Sequence, residues 1–357
     1  MKISVIGIDR LTGPQREAWL HWQQSDPVLA SPYLHPDYHR LAGEVRPGVE
    51  VAVIEEAGEP VGFFPFQRRK ARTGVPVAAP LNDFQAVIGR PGLEYDADEL
   101  VRTCGLSVWT FDHLVSPHAS FQPHVWHVAP SPLMDLSQGF DAYLRSREEA
   151  GCEDWGQAKK KAKKAANQVG PIRFEFHTDD AAVFRALAQW KGKQYVRTKQ
   201  PNLFTVPWVV AFLEGIRRRR DAEFAGLLSA LYFGDRLAAV HFGMRCRDVL
   251  HLWFPTFAPE LARYSPGTIF FFEIAKAAAE AGIRRIDLGK GPERFKVSLM
   301  SGSVPVAEGA VDFRTITRNV LRLRRGVSRL MRLPVIGTPV RMAAQASRPL
   351  RLWMAGL

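Results

Sequence analysis

One helix between two apolar segments places the strongest constraint on the fold. The segment "VLHLWFPTF" (249–257) is rich in apolar and aromatic residues, as strands are. After it, Ser265 and Pro266 are suited to the N-cap and first turn of a helix, and Gly282 is suited to its end. "RRIDLG" (284–289) then reads as a further strand. These elements predict a strand–helix–strand crossover.

The predicted helix is apolar around most of its circumference. Glu273, Lys276 and Glu280 recur at i, i+3 and i+7 and form a narrow polar stripe, whereas the remaining side chains are aliphatic, aromatic or alanine. A helix of this pattern is buried on most sides, so we predict that it packs against a sheet. The chain therefore reads as an α/β protein with a mixed sheet.

Two strand–turn–strand segments share one pattern. In the first, "VEVAVIEE" (49–56) and "VGFFPFQRR" (61–69) flank a turn that we assign to Gly58 and Pro60. In the second, "AGLLSALYF" (225–233) and "RLAAVHFGM" (236–244) flank Gly234-Asp235. Because the two segments agree in pattern only, they suggest two similar halves without proving a duplication.

A helical region separates the two halves. "GFDAYLRSREEAGCEDWGQAKKKAKKAANQVG" (139–170) should form two helices that break near Gly151 or Gly156. A short strand, "IRFEFHT" (172–178), and a helix over 179–198 should follow, with Thr178 or Asp179 as the N-cap. We place the domain boundary before this region. The predicted domains are 1–135, 136–310 and a tail at 311–357.

The net charge of +12 is concentrated in two places. Residues 311–357 hold ten arginines and one acid, Asp312, and "KKKAKK" (159–164) holds five lysines. The lysine run is either a solvated helix face or a patch for an anionic carrier. A sequence-specific DNA-binding protein is disfavoured, because no helix-turn-helix with exposed basic residues stands out.

The basic tail has helical periodicity. Its arginines repeat every three or four residues between Arg314 and Arg332, and an apolar stripe from Phe313 to Leu330 lies nearly opposite. This pattern predicts a basic amphipathic helix that ends before Pro334. It either packs on the domain or lies on an anionic membrane surface, where each arginine adds about 1 kcal/mol of attraction.

The cysteines and the N-terminus indicate a cytoplasmic protein. Cys104, Cys152 and Cys246 are far apart and odd in number, which argues against a disulfide framework. The start "MKISVIGIDRLTGPQ" (1–15) lacks a long apolar stretch typical of a signal peptide. No window approaches ~20 consecutive apolar residues, so we predict no membrane-spanning helix.

The predicted helix start at Ser265 is a candidate anion site. The first N–H groups of a helix lack intrahelical partners, and Gly267 has no side chain to obstruct a phosphate. Taken alone, Ser-Pro-Gly more often simply begins a helix. No Gly-rich Walker or dinucleotide fingerprint is present, which disfavours ATP and NAD.

Several of these segments, taken in order, resemble the GNAT superfamily of N-acyltransferases. More narrowly, the chain resembles the cellulose-biosynthesis-associated (CelD-like) acetyltransferases, relatives of the FemAB-type enzymes that have two GNAT-like halves. The resemblance rests on Tyr264–Thr268, Asp287–Gly291 with Phe295-Lys296, the basic helix 157–169, and "PLNDFQAVIG" (80–89). It implies two tandem GNAT-like halves and acyl-CoA as the co-substrate. It also implies that Tyr264, Ser265, Gly267 and Thr268 contact that co-substrate.

In this chemistry an amine attacks an activated acyl carbonyl directly, so the protein must position both substrates, accept a proton and stabilise an oxyanion. Asp287, His241 and Asp83 are the candidate bases, and each has an ordinary structural interpretation as well. Lys296 is a candidate cation for a thiolate, phosphate or oxyanion. A backbone N–H within 253–256 is a candidate oxyanion donor.

The remaining candidates concern the acceptor and a metal. The resemblance places Asn82, Asp83 and Phe84 at the acceptor. Tyr264 either protonates a leaving thiolate or packs in the core. The histidines of "FDHLVSPHASFQPHVWHV" (111–128) match no zinc spacing, so we predict no metal site.

Together these features predict an N-acyltransferase that moves an acyl group from acyl-CoA to an amine. The expected acceptor is a sugar, a lipid or a cell-envelope or exopolysaccharide precursor, and the expected location is cytoplasmic, with peripheral contact to the inner face of the membrane. One alternative is a FemAB-like transferase that uses aminoacyl-tRNA, which the lysine helix favours. Another is a non-catalytic GNAT-like accessory protein of polysaccharide synthesis.

Overall fold

The computed structural model describes residues 1–115, 119–291 and 293–314. The helices are, in chain order, α1 (Gly13–Ser25), α2 (Pro36–Val45), α3 (Ala97–Thr103), α4 (Phe140–Glu149), α5 (Asp154–Gln168), α6 (Ala181–Arg197), α7 (Pro207–Arg217), α8 (Pro266–Glu280) and α9 (Arg294–Leu299). The strands are β1 (Lys2–Gly7), β2 (Val49–Glu56), β3 (Glu59–Arg69), β4 (Thr73–Val75), β5 (Ile88–Gly89), β6 (Val108–Val115), β7 (Val125–Asp135), β8 (Ile172–Glu175), β9 (Ala225–Phe233), β10 (Arg236–Cys246), β11 (Val249–Phe257), β12 (Arg285–Asp287) and β13 (Gly302–Asp312). The predicted mixed α/β class is confirmed.

The described residues divide into two compact units. Unit 1 comprises residues 1–29, 36–129 and 306–314, and unit 2 comprises residues 30–35 and 130–305, within the described ranges. The predicted domain boundary at 135 coincides with the end of β7, and the one at 310 falls inside β13. The three-domain division itself stays a prediction.

The sheet of unit 1 has the strand order β1-β2-β3-β4-β6-β13. Its neighbours pair antiparallel except for β4 and β6, which run parallel. Aromatic side chains fill its core: Phe64 and Trp109 meet edge to face with 4.8 Å between ring centroids. Buried side chains of this size each contribute about 1.5–3 kcal/mol through removal of apolar surface from water.

The first predicted hairpin is confirmed as β2 and β3, but its turn differs in detail. The turn residues are Ala57 and Gly58, whose φ angles are 49° and 88°, and Pro60 already lies within β3. A two-residue turn in which both φ angles are positive matches the right-handed twist of the flanking strands, and this explains the position of Gly58.

The sheet of unit 2 has the strand order β7-β12-β11-β10-β9-β8. The predicted strands at 225–233 and 249–257 agree with β9 and β11, and β10 turns from β9 at Gly234-Asp235. β11 and β12 run parallel and are joined by α8, so the predicted strand–helix–strand crossover is confirmed. That parallel pairing covers only Val249–His251 of β11, which continues to Phe257.

The helices of unit 2 follow the predicted order with two differences. α4 and α5 are separated at Gly151, whose φ of 77° suits glycine, as predicted. The N-cap of α6 is Asp180 rather than Thr178 or Asp179, because the Asp180 carboxylate accepts a hydrogen bond from the Ala182 N–H at 2.7 Å. α7 was not predicted from the sequence, although Val209, Phe212, Leu213 and Ile216 have helical spacing and are buried.

Helix α8 forms the centre of the unit 2 core. Phe270, Ile274 and Ala278 are buried in the cluster that also contains strand residues of β9, β11 and β12. α5 packs on α8, with the rings of Trp155 and Phe272 centred 5.0 Å apart. The predicted burial of α8 is therefore confirmed, and its start is held against α5.

The described residues contain no helix that is both long and apolar enough to cross a membrane. The predicted amphipathic helix of the tail lies outside the described residues from 315 onward. Before that point Val311 and Asp312 end β13, and Arg314 pairs with the Asp312 carboxylate at 2.7 Å.

Candidate functional site

The start of α8 is shaped by the backbone of Ser265. This residue is the N-cap of α8, as predicted, but it is in the left-handed region, with φ 54° and ψ 51°, and its side chain makes no capping hydrogen bond. Its carbonyl accepts from the N–H groups of Thr268 at 3.1 Å and Ile269 at 3.3 Å. A left-handed residue other than glycine is strained, and such strain accumulates at functional sites.

Gly267 leaves the α8 start uncovered. A Cβ at this position would meet only the ring of Phe257, at 3.5 Å, among the described residues. Pro266 has no N–H, and Gly267 precedes the turn in which intrahelical bonds begin, so its N–H is available to an anion. The helix dipole adds positive potential at the same point. This geometry suits a phosphate or another oxyanion.

The segment before α8 is lined by the lysine helix α5. The Lys161 ammonium donates to the Arg263 carbonyl at 3.1 Å, and the Arg263 guanidinium lies 4.7 Å from the centre of the Tyr264 ring. Lys159, Lys160, Lys163 and Lys164 are exposed on the same helix. Part of the predicted basic patch therefore adjoins the start of α8.

Tyr264 is a core residue in this arrangement. Its side chain is fully buried, its hydroxyl donates to the Gln168 side-chain carbonyl at 3.1 Å, and it accepts from Arg263 at 2.6 Å. Both sides of the hydroxyl are therefore occupied. The geometry favours the packing role over the predicted role as a proton donor.

Residues 156–297 match the family model described as the acetyltransferase (GNAT) domain. The matched residues include most of α5 with its lysines and every element from β8 to β12, and therefore also the start of α8. These residues are therefore similar to a GNAT acetyltransferase domain. The predicted resemblance is confirmed at this level.

Three solved structures share the fold of this chain at low sequence identity. FemX shares 9% identity with the chain at a TM-score of 0.57, over 91% of this chain and 100% of FemX. A protein of unknown function from Bacteroides thetaiotaomicron shares 10% sequence identity at a TM-score of 0.53, and the match covers 87% of this chain and 100% of that protein. The third structure is the C-terminal domain of an Agrobacterium fabrum protein described as a lysylphosphatidylglycerol synthetase. It shares 13% sequence identity at a TM-score of 0.50, and the match covers 87% of this chain and 96% of that domain. No curated protein matches the sequence.

Five lysine, histidine and aspartate side chains between residues 191 and 296 are less than 10% exposed, and we call them the buried polar cluster. They lie on different elements of the GNAT domain, namely α6, β10, β11, β12 and α9. The members are Lys191, His241, His251, Asp287 and Lys296. Three of them were predicted as catalytic, and the structure shows the contacts of each.

His241 is fully buried in β10. Its Nε2 accepts a hydrogen bond from the Trp253 backbone N–H at 3.3 Å, which occupies one of the predicted oxyanion donors. Burial, together with smaller effects of the nearby His251 and Lys191, lowers the pKa of His241 to about 3. The imidazole is therefore neutral at physiological pH. Its Nδ1 has no hydrogen-bond partner among the described residues.

The space for this imidazole comes from Gly243. A Cβ there would collide with the His251 carbonyl and lie 2.5 Å from His241 Nε2. The β10–β11 register also shifts between Phe242 and Met244, which frees the Trp253 N–H from the regular ladder. Such a bulge re-aims backbone groups beside functional sites.

Asp287 ends β12 and lies directly across from His251 in the parallel register. Its Oδ1 is 3.0 Å from Nε of Arg285, and Nη2 of Arg285 donates to Oδ2 at 3.4 Å. The carboxylate is thus buried and paired with a guanidinium two residues earlier on the same strand. Arg285 was not singled out in the sequence, although i and i+2 of a strand share a face.

Lys296 is held by the glycine-rich loop that follows β12. Its ammonium donates to the Lys290 carbonyl at 3.1 Å and lies 3.1 Å from the Glu293 carboxylate. Gly291 permits this, because a Cβ at its φ of 157° would collide with Glu293 and lie 3.0 Å from Lys296 Nζ. The stacked rings of Phe295 and Phe271, 4.9 Å apart, fix α9 on α8.

Lys191 was not among the site residues predicted from the sequence. It extends the apolar stripe of α6 formed by Phe184 and Leu187 and is only 8% exposed. Burial lowers its pKa to about 8, while Glu293 raises it and Lys296 lowers it. A lysine that continues an apolar stripe is the signal that could have identified it.

The predicted acceptor residues Asn82, Asp83 and Phe84 belong to unit 1. The Asn82 side chain accepts from the Phe84 N–H at 3.1 Å, which fixes the local turn, and Phe84 is buried. Asp83 lies 3.8 Å from Nε2 of His113. Asp83 also raises the pKa of the buried Tyr38 hydroxyl, after the larger effect of burial.

The histidine-rich segment lies partly outside the described residues, because His118 is not among them. His113 is 3.1 Å from the Asp112 carboxylate, and His124 is 3.0 Å from that of Asp98. Over 1–115, 119–291 and 293–314, no three His, Cys, Asp or Glu side chains are grouped as metal ligands would be.

Proposed function

We propose that this GNAT protein is an N-acyltransferase that transfers an acyl group from acyl-CoA to an amine. The amine belongs to a sugar, a lipid or a cell-envelope or exopolysaccharide precursor, as in the CelD-like proteins that the sequence resembles. The observation that carries the proposal is the α8 start, where Gly267 leaves a backbone N–H open to an oxyanion.

Two features of unit 2 support a phosphorylated carrier at this point. The N–H groups and dipole of α8 favour an anion. α5 adds ammonium groups, of which Lys161 is fixed at the Arg263 carbonyl, two residues before Ser265. The pyrophosphate of coenzyme A carries the charge and the extended shape that such a site accommodates. Gly267 would contact it through its backbone N–H, whereas the N–H groups of Ser265 and Thr268 already bond to the Ala262 and Ser265 carbonyls, so these two residues would lie beside it.

The chemistry assigned to the site is direct attack. The amine nitrogen bonds to the thioester carbonyl carbon, the C–S bond breaks, the amine loses a proton and the thiolate gains one. In this scheme Asp287 takes the proton and Lys296 stabilises developing negative charge. His241 keeps the Trp253 backbone in place beside them.

A second candidate is a FemAB-like transferase that takes an aminoacyl group from charged tRNA. The exposed lysines of α5 favour it, because a row of ammonium groups suits a nucleic-acid backbone. It would use the same attack on an activated ester. The predicted non-catalytic accessory role, the membrane contact of 311–357 and the cytoplasmic location also remain proposals.

Thermal melts with coenzyme A, acetyl-, malonyl- and long-chain acyl-coenzyme A test the carrier. A ligand that binds only the folded protein stabilises it by about 2.7 kcal/mol at a hundredfold excess over its Kd. We expect the shift to survive Gly267→Ala, whose Cβ would be in ordinary contact with Phe257, and to disappear in Gly267→Phe. If no acyl-CoA shifts the melt and charged tRNA does, the second candidate replaces the first.

A further inference from the structure

The charges of the buried polar cluster and its neighbours do not balance. The Asp287 carboxylate is matched by Arg285 at 3.0 Å, and the Lys296 ammonium by Glu293 at 3.1 Å. The Lys191 ammonium has no carboxylate paired with it among the described residues. It forms no hydrogen bond or ion pair with any residue that the structure describes.

The surroundings of Lys191 are known from three elements. These are β10 with His241, which is neutral, α9 with Lys296, and the residue before α9, Glu293. The only carboxylate among these three is already in contact with Lys296 and is about half exposed, so water weakens its effect on Lys191. Lys191 itself stays largely protonated at neutral pH, because its pKa falls only to about 8.

A largely buried ammonium without a protein partner is costly, because it keeps little of its hydration and no opposite charge compensates for the loss. Proteins retain such a charge where a bound ligand supplies the opposite charge. The ammonium has three N–H donors, and Lys296 has one donor left after its contacts with Lys290 and Glu293. The two ammonium groups together suit a group with two or more anionic oxygens.

We propose that Lys191, with Lys296, binds an anionic oxygen group, a phosphate or a carboxylate, of a substrate that enters the buried polar cluster. The inference rests on the proposed function for the identity of that substrate as acceptor or acyl carrier. The anion-binding property itself depends only on the charges. Lys191 thereby selects substrates that carry a negative charge near the reacting group.

Trace labelling of lysines with acetic anhydride, read by mass spectrometry on the full chain, tests this directly. Only the neutral amine reacts, so an anion that raises the pKa of Lys191 by one unit slows its labelling about tenfold. The probes are phosphate and acetate, each compared with chloride at equal ionic strength. Lys193, which is exposed on the same helix, is the internal reference.

We expect phosphate or acetate to slow the labelling of Lys191 and to leave Lys193 unchanged. Equal labelling of Lys191 in chloride, phosphate and acetate, and with coenzyme A, would overturn the proposal. A second measurement uses melting temperatures: the anion should stabilise the wild type and Lys193→Met but not Lys191→Met. Stabilisation of Lys191→Met equal to that of the wild type would also overturn it.

Coenzyme A distinguishes the two sources of the anion. Protection of Lys191 by coenzyme A that is lost in Gly267→Phe would assign the anion to the carrier. Protection by phosphate or acetate that persists in Gly267→Phe would assign it to the acceptor. Because the small anions need no carrier site, a failed coenzyme A melt leaves this test intact, and the two proposals fail separately.

Discussion

The Trp253 backbone N–H donates to Nε2 of His241 over 3.3 Å. Since that nitrogen accepts a hydrogen bond, the neutral ring carries its proton on Nδ1. His241 in this state has no free lone pair facing a substrate. Its hydrogen bond holds the backbone of the β11 bulge, and Asp287 and Asp83 remain the candidate bases.

The buried imidazole of His241 makes the free energy of unfolding depend more steeply on pH in acid. Its folded pKa of about 3 lies below the unfolded value of 6.5, so the unfolded chain binds an extra proton between these values. The free energy of unfolding should therefore fall by about 1.4 kcal/mol per pH unit in this window from His241 alone. His241→Gln, whose amide oxygen can accept from Trp253, should lose this slope in urea titrations. An unchanged slope would contradict the assignment, and His21→Gln at an exposed site is the control.

Lys191 should make the protein more stable in base. Its folded pKa of about 8 lies below the ordinary value of 10.5, so the cost of the buried charge is full below pH 8 and disappears as pH rises to 10.5. This amounts to about 3 kcal/mol at most. Lys191→Met should be more stable than the wild type at pH 7 and lack the rise. Parallel curves for Lys191→Met, Lys193→Met and the wild type would be the contrary result.

The loop around Lys296 depends on Gly291. Gly291→Ala should destabilise the protein by more than the roughly 1 kcal/mol expected of Gly282→Ala, which changes a left-handed residue with open space around it. The excess reflects the collision of the new Cβ with Glu293 and Lys296. Guanidinium unfolding of the two variants measures the difference. Equal losses would show that the loop does not hold Lys296 as described.

Tyr264 offers a test of a predicted proton donor. Tyr264→Phe removes a hydroxyl that pairs with Gln168 and Arg263, so it should cost about 1 kcal/mol of stability. The melting shift caused by coenzyme A, and any acyl transfer, should persist in this variant. Loss of transfer at unchanged coenzyme A affinity would restore the proton-donor role.

The hairpins, the crossover around α8 and the break between α4 and α5 were predictable from the sequence because each depends on local patterns. Apolar runs, the proline and glycine residues at turns and helix ends, and the polar stripe of the helix locate these elements to within a few residues. α7 carried the same kind of periodicity and was missed. The Ser265 conformation was not predictable, since its left-handed backbone contradicts the ordinary preference of serine at an N-cap.

The site was predictable only in part, because its contacts join residues that are distant in sequence. His241, Asp287 and Lys296 could be selected as polar residues in apolar or glycine-rich contexts. Their partners could not: Trp253 meets His241 through a bulge, and the environment of Lys191 joins α6 to α9. The role of Asn82, Asp83 and Phe84 in binding the acceptor stays a prediction.

The most direct test of the account is a crystal structure of the protein with coenzyme A. We predict the pyrophosphate within hydrogen-bond distance of the Gly267 N–H, with a lysine of α5 close to a phosphate of the carrier. Coenzyme A bound elsewhere, or absent from crystals soaked at saturating concentration, would contradict the claim that the α8 start holds the acyl carrier.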